Sequence, residues 1–121
     1  MAVTLTAAVV EKDPAQDRRG HQRFLSHLWG DLAIGQQRIE CYVYDVSLGG
    51  AKILSFASIT LPRELRLFVP PFGVFDCEVR WSDGPFIGVK FSEADYPRAS
   101  ELVAHVRAGT PQLPRTVMTP V

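Results

Sequence analysis

The stretch VFDCEVRWSDGPFIGVKF, residues 74–91, decides the fold of this 121-residue chain. Phe75, Cys77, Val79 and Trp81 fall on one side of an extended backbone, and Asp76, Glu78 and Arg80 on the other. Side chains alternate between the faces of a strand, so this period of two predicts a half-buried strand over residues 74–81. Asp83-Gly84 then supplies a hairpin turn, and residues 86–91 return as its partner.

The same pattern recurs outward from that hairpin. Residues 37–45 place Ile39, Cys41 and Val43 on one face, with Arg38, Glu40, Tyr42 and Tyr44 on the other. Ser47-Leu48-Gly49-Gly50 predicts a turn in which paired glycines supply positive φ. Residues 51–56 and 65–69 give two more strands, the second ended by Pro70-Pro71, which cannot donate to a ladder. Residues 23–30 alternate weakly but are too short before Gly30 for a helix, and are taken as a strand. Six short strands in succession predict a mainly β fold, an antiparallel barrel that removes its own exposed edges.

The period then changes. Ala99, Leu102, Val103 and Val106 recur at three- and four-residue steps, which predicts an amphipathic helix. Asp95 is placed to cap it, Pro97 fits its first turn, and Gly109 can end it. The expected organisation is a flexible N-terminal segment or arm (1–17), a barrel-and-helix domain (18–108), and an extended or disordered tail (109–121) in which three prolines fall.

Composition limits the function. Hydrophobic residues make up 46% of the chain and charged ones 21%, enough for a core. Thirteen basic residues balance thirteen acidic ones. A protein gripping long nucleic acid carries a basic excess, whereas a small anion needs only a local cluster. Cys41 and Cys77 lie far apart in apolar stretches, which predicts buried free thiols. His21, His27 and His105 lack metal-ligand spacing, so no metal site is expected. No signal peptide or membrane-spanning stretch is read from the sequence, so a soluble, cytoplasmic protein is expected. Trp29 and Trp81 are expected to pack in the core or on the barrel rim. Nothing forms a nucleophile, base and orienter set, and an enzyme is not expected.

Two clusters remain. One is Arg18-Arg19-Gly20-His21-Gln22-Arg23, before the first strand, and the other is Asp45-Val46-Ser47-Leu48-Gly49-Gly50, at a strand end. In order and spacing they resemble the paired signature of the PilZ family, R-x-x-x-R followed by [D/N]-x-S-x-x-G. Gly88-Val89-Lys90-Phe91 is similar to that family's closing strand. The resemblance covers roughly residues 17–108 and implies a receptor for cyclic di-GMP. It implies that Arg19 and Arg23 meet guanine edges and phosphate, and that Asp45 and Ser47 accept from guanine N–H groups. Gly49 and Gly50 would form the turn that the ligand approaches. Arg18, just outside the motif, would be either a bystander or a third ligand contact, and its guanidinium could stack against a second ligand molecule.

The chemistry suits the ligand. A guanidinium fork bonds phosphate or the O6/N7 edge of guanine bidentately, and it also stacks on base faces. Asp45 and Ser47 can equally cap the turn through local bonds. The expected output is a conformational change in the arm read by an unidentified partner protein in trans. The alternative is a PilZ-like protein–protein adaptor that binds no nucleotide.

Overall fold

The computed structural model describes residues 21–113. In chain order they form β1 (Phe24–Ile34), β2 (Gln37–Val46), β3 (Gly50–Leu54), β4 (Glu64–Val69), β5 (Gly73–Asp83) and β6 (Phe86–Phe91). A 3-10 turn (Glu93–Asp95) and one helix, α1 (Tyr96–Arg107), follow. Every paired neighbour is antiparallel, and the ring order β1-β2-β3-β6-β5-β4 closes through β4 and β1. The six-stranded antiparallel barrel with a C-terminal helix is therefore as expected. The predicted arm, with Arg18 and Arg19, lies outside the described residues.

Inward residues of the strands supply the core. Leu32, Val43, Ile53, Leu67 and Phe75 are completely buried, and the Phe75 and Phe91 rings stack at 4.8 Å. The helix adds Ala99, Leu102 and Val103 to the same core. Cys41 and Cys77 are both buried, as their apolar surroundings predicted. No described helix is long and apolar enough to cross a membrane.

Asp95 stands at the helix N-cap position but makes no side-chain cap bond. Its buried carboxylate instead accepts the Asp76 N–H at 2.7 Å and is gripped by Arg98, whose guanidinium lies over the Phe75 ring at 4.9 Å. A buried carboxylate must find charge-assisted partners, and β5 offers a better donor than the helix's own first turn. The result ties α1 to the start of β5.

Three strands carry one extra residue each. In β1, Leu25 pairs with Asp45 and Leu28 with Val43, so Ser26 and His27 share one place, and His27 takes φ 52°. In β2, Val43 pairs with Ile53 and Asp45 with Lys52, which leaves Tyr44 unmatched. In β5, Val79 pairs with Val89 and Trp81 with Gly88, which leaves Arg80 unmatched. Such bulges reverse the inside–outside alternation beyond them. They explain the weak alternation of residues 23–30. They also correct the reading of Trp81, which leaves the inward row of Phe75 and Cys77 for the outer face.

Closure between β1 and β4 is brief: Asp31, Leu32 and Ala33 pair with Phe68, Leu67 and Arg66. Beyond these pairs, the Gln112 side chain takes over. Its Oε1 accepts the Trp29 N–H at 2.8 Å, and its Nε2 donates to the carbonyls of Trp29 at 3.1 Å and Pro70 at 2.8 Å. The Trp29 indole N–H donates to the Leu113 carbonyl at 2.8 Å.

Candidate functional site

The β2 bulge begins the site. Without Tyr44 as an extra residue, Asp45 would point inward with Val43; with it, Asp45 emerges on the outer face while Val46 turns in. There the carboxylate accepts a hydrogen bond from Arg23 Nη1 at 2.8 Å. Two clusters separated by 22 residues are thus joined by a partly buried ion pair. Burial pushes the Asp45 carboxyl above its ordinary value, while Arg23 and Lys52 act in the opposite direction.

Ser47 is buried and organises the turn. Its Oγ accepts the N–H groups of Gly49 and Gly50, both at 3.2 Å, and its own N–H donates to the Gly50 carbonyl at 2.8 Å. The Gly49 carbonyl accepts the Phe91 N–H at 2.8 Å, which fastens the turn to β6. Neither glycine has positive φ, contrary to expectation. Gly50 is required by close approach: an added Cβ would lie 2.1 Å from the Val89 carbonyl oxygen. At Gly49 an added Cβ would meet the His21 ring at 3.1 Å, so this glycine makes room for the imidazole.

Beside the turn lies an open cleft of about 340 Å³. Arg23, Ser47, Gly49 and Gly50 line one side of it. Arg80, Trp81, Gly88 and Lys90 line the β5–β6 side, and His21 and Tyr96 complete it. The His21 and Tyr96 rings meet edge to face at 6.3 Å. His21 Nδ1 is buried and has no hydrogen-bond partner among the described residues.

Of the expected site residues, the structure thus brings Arg23, Ser47, Gly49 and Gly50 to one cleft, with Asp45 behind Arg23. Arg18 and Arg19 lie outside the described residues. Arg80, Trp81, Lys90 and Tyr96 were not foreseen at this site. The signal that could have found Lys90 and Gly88 is the turn's position between β2 and β3, whose β3 partner is β6. Arg80 and Trp81 share the cleft despite being consecutive, because Arg80 is the bulged residue.

Chemically, the cleft presents guanidinium and ammonium groups beside an indole and an imidazole. That combination suits an anion carrying flat, polar-edged rings. Among the described residues, no group of three or more His, Cys, Asp or Glu side chains could hold a metal ion.

Comparison with known proteins agrees with the fold. A family model for the PilZ domain matches residues 17–108. No curated protein matches the sequence significantly. Among solved structures, the chain is similar to the PilZ domain with c-di-GMP of YcgR from Escherichia coli, with TM-score 0.57 and 18% identity. That match covers 75% of this chain and 90% of the other. It is also similar to the Legionella uncharacterized protein Lpg0364, with TM-score 0.55 and 20% identity over 73% of this chain and 96% of that one. The Borreliella burgdorferi PlzA protein in complex with c-di-GMP aligns with TM-score 0.54 and 15% identity, over 78% of this chain and 45% of its own.

Proposed function

Because the chain belongs to the PilZ domain family, we propose that it is a bacterial, cytoplasmic receptor for cyclic di-GMP rather than an enzyme. The observation that carries this reading is the meeting of the two signature halves. Arg23 and the Ser47–Gly50 turn line one cleft, joined through Asp45 at 2.8 Å. Two of the similar structures, those of YcgR and PlzA, are described with c-di-GMP bound.

On this reading each residue has a task. Arg23 is held at the cleft and offers its fork to a phosphate or a guanine edge. Arg19 and Arg18 add charge from the preceding segment. Ser47 holds the turn so that the backbone of Gly49 and Gly50 forms a fixed wall. Asp45 acts chiefly by orienting Arg23, and its second oxygen remains a candidate acceptor for a guanine N–H. Bound ligand draws Arg18 and Arg19 to the cleft where His21 and Arg23 already sit, and the altered surface is read by a partner protein in trans.

Isothermal titration with cyclic di-GMP tests the proposal on the wild type and on Arg19→Ala, Arg23→Ala and Ser47→Ala. Saturable binding by the wild type, abolished in both arginine variants with the fold intact, is the expected result. Unchanged binding in both arginine variants would remove the site assignment. No heat and no thermal shift in the wild type would favour a protein-only adaptor.

A further inference from the structure

The outer face of the barrel is of two kinds. On β4 and β5 it is charged: Glu64 stands opposite Glu78 and Arg66 opposite Asp76, with Arg66–Asp76 and Arg63–Glu78 ion pairs at 3.1 and 3.7 Å. On β1, β2, β3 and β6, one row in register reads Trp29, Tyr42, Leu54, Phe86. Their chain neighbours Leu28, Val43, Ile53 and Ile87 are buried, so the row itself faces outward. Tyr44 and His27, both from bulges, fill in beside it. The His27 ring lies 6.0 Å from Tyr42 and 5.9 Å from Tyr44, and Tyr44 lies 5.9 Å from Phe86. Adjacent strands thus carry a continuous apolar row where a solvated sheet face would be polar.

We propose that this row is the contact surface for a second copy of the chain, packed about a two-fold axis that runs along the row. The charges flanking the row point to that partner. Lys52 stands two residues from Leu54 along β3, with its ammonium over the Phe86 and Tyr44 rings at 4.7 and 5.3 Å. Glu40 stands two residues from Tyr42 along β2, on the opposite side of the row, next to Asp31 of β1. A two-fold axis along the row lays row against row and turns each flank over the other copy's opposite flank. Both residues are about 7 Å off the row and on neighbouring strands, an offset that a lysine side chain spans. Each copy's Lys52 therefore meets the other's Glu40, which gives two ion pairs at the rim of an apolar contact. The chain's zero net charge adds no overall repulsion between copies. The rings already pack on one another, so docking costs them little freedom. Three inter-strand steps make the row about 14 Å wide, a small footprint, so the dimer is reversible and forms as concentration rises.

The test is analytical ultracentrifugation of the full chain without ligand, from low-micromolar to submillimolar concentration. Wild type should pass from monomer to dimer across that range. Tyr42→Arg, at an exposed position in the row, should stay monomeric. Lys52→Glu and Glu40→Lys should each stay monomeric too, because either change sets like charges face to face at both rims. Mixing Lys52→Glu with Glu40→Lys should restore a dimer holding one chain of each, since every charge then meets its opposite. Arg66→Ala, on the charged outer face, should dimerise as wild type does. Circular dichroism checks that each variant is folded, and the charge-swapped pair keeps the inference testable should Tyr42→Arg fold poorly. A wild type that is monomeric throughout, wild-type association by Tyr42→Arg, or a mixture that stays monomeric would overturn the proposal. With no ligand present, none of these outcomes touches the receptor reading, which the inference does not need.

Discussion

Replacing Gly50 by alanine separates a glycine that serves packing from one that serves a ligand. The added Cβ would sit 2.1 Å from the Val89 carbonyl oxygen and 3.2 Å from its carbon. Both atoms belong to backbone at the end of the β3–β6 pairing next to the turn, where Gly50 faces Lys90 and Ala51 faces Val89. No rotamer change relieves the clash, so the strands must separate, at the expense of ladder hydrogen bonds worth about 1 kcal/mol each. Together with the loosened packing, the loss is about 3 kcal/mol, at the upper end for overpacking. For a domain of this size that lowers Tm by roughly 12–24 °C. Gly49→Ala meets only an imidazole that can tilt, and should lose under about 1 kcal/mol. Gly35→Ala has open space but φ 61°, and should lose about 1–2 kcal/mol from strain alone. Urea denaturation of the ligand-free proteins measures all three. A Gly50→Ala protein as stable as wild type without ligand would refute the packing explanation.

Three other outcomes follow from geometry. The raised Asp45 carboxyl means the native state holds that proton more tightly than the unfolded chain. Its contribution is therefore fully present below the ordinary value of 3.8 and lost as pH rises through the native value. Wild type should thus lose stability relative to Asp45→Asn from acid to neutral pH, and a difference growing in the wild type's favour would contradict it. Gln112→Ala removes three hydrogen bonds at the β1–β4 seam and should destabilise by about 1–2 kcal/mol, with faster amide exchange at Trp29 measured by NMR. The Cys77 thiol is pushed far up by burial and further by the carboxylates of Asp95 and Asp76. It should resist a thiol reagent in native buffer and react in denaturant, and rapid native labelling would count against its placement.

Much of the barrel could be read from period-two alternation because each strand's inner row meets one continuous core. Residues 86–91 illustrate this: Ile87, Val89 and Phe91 all turn inward as the pattern demands. The same alternation failed at Tyr44 and Arg80, because an inserted residue leaves no mark in a hydrophobicity pattern. What it changes is parity, and parity decides which residues reach the cleft. Asp45 was found through its motif although alternation alone would have buried it. Trp81 had no motif and was assigned by alternation to the wrong face. The capping role of Asp95 failed for a different reason, since the competing Asp76 N–H comes from a strand distant in sequence. Ser47's grip on the turn was legible because its partners are two and three residues away.

The seam between β1 and β4 has a mechanical meaning. A bracelet needs a clasp, and in this ring the clasp is partly one side-chain amide standing in for a missing strand. Gln112 and Leu113 lie beyond the helix, so tension applied to the chain on that side is delivered first to Trp29 and Pro70 rather than spread over the barrel. The cleft is walled by the Ser47–Gly50 turn, β5 and β6, and none of its lining residues belongs to that joint. Load and ligand therefore enter the same closed wall at different places, and the clasp can give way without first unzipping the strands that hold the cleft.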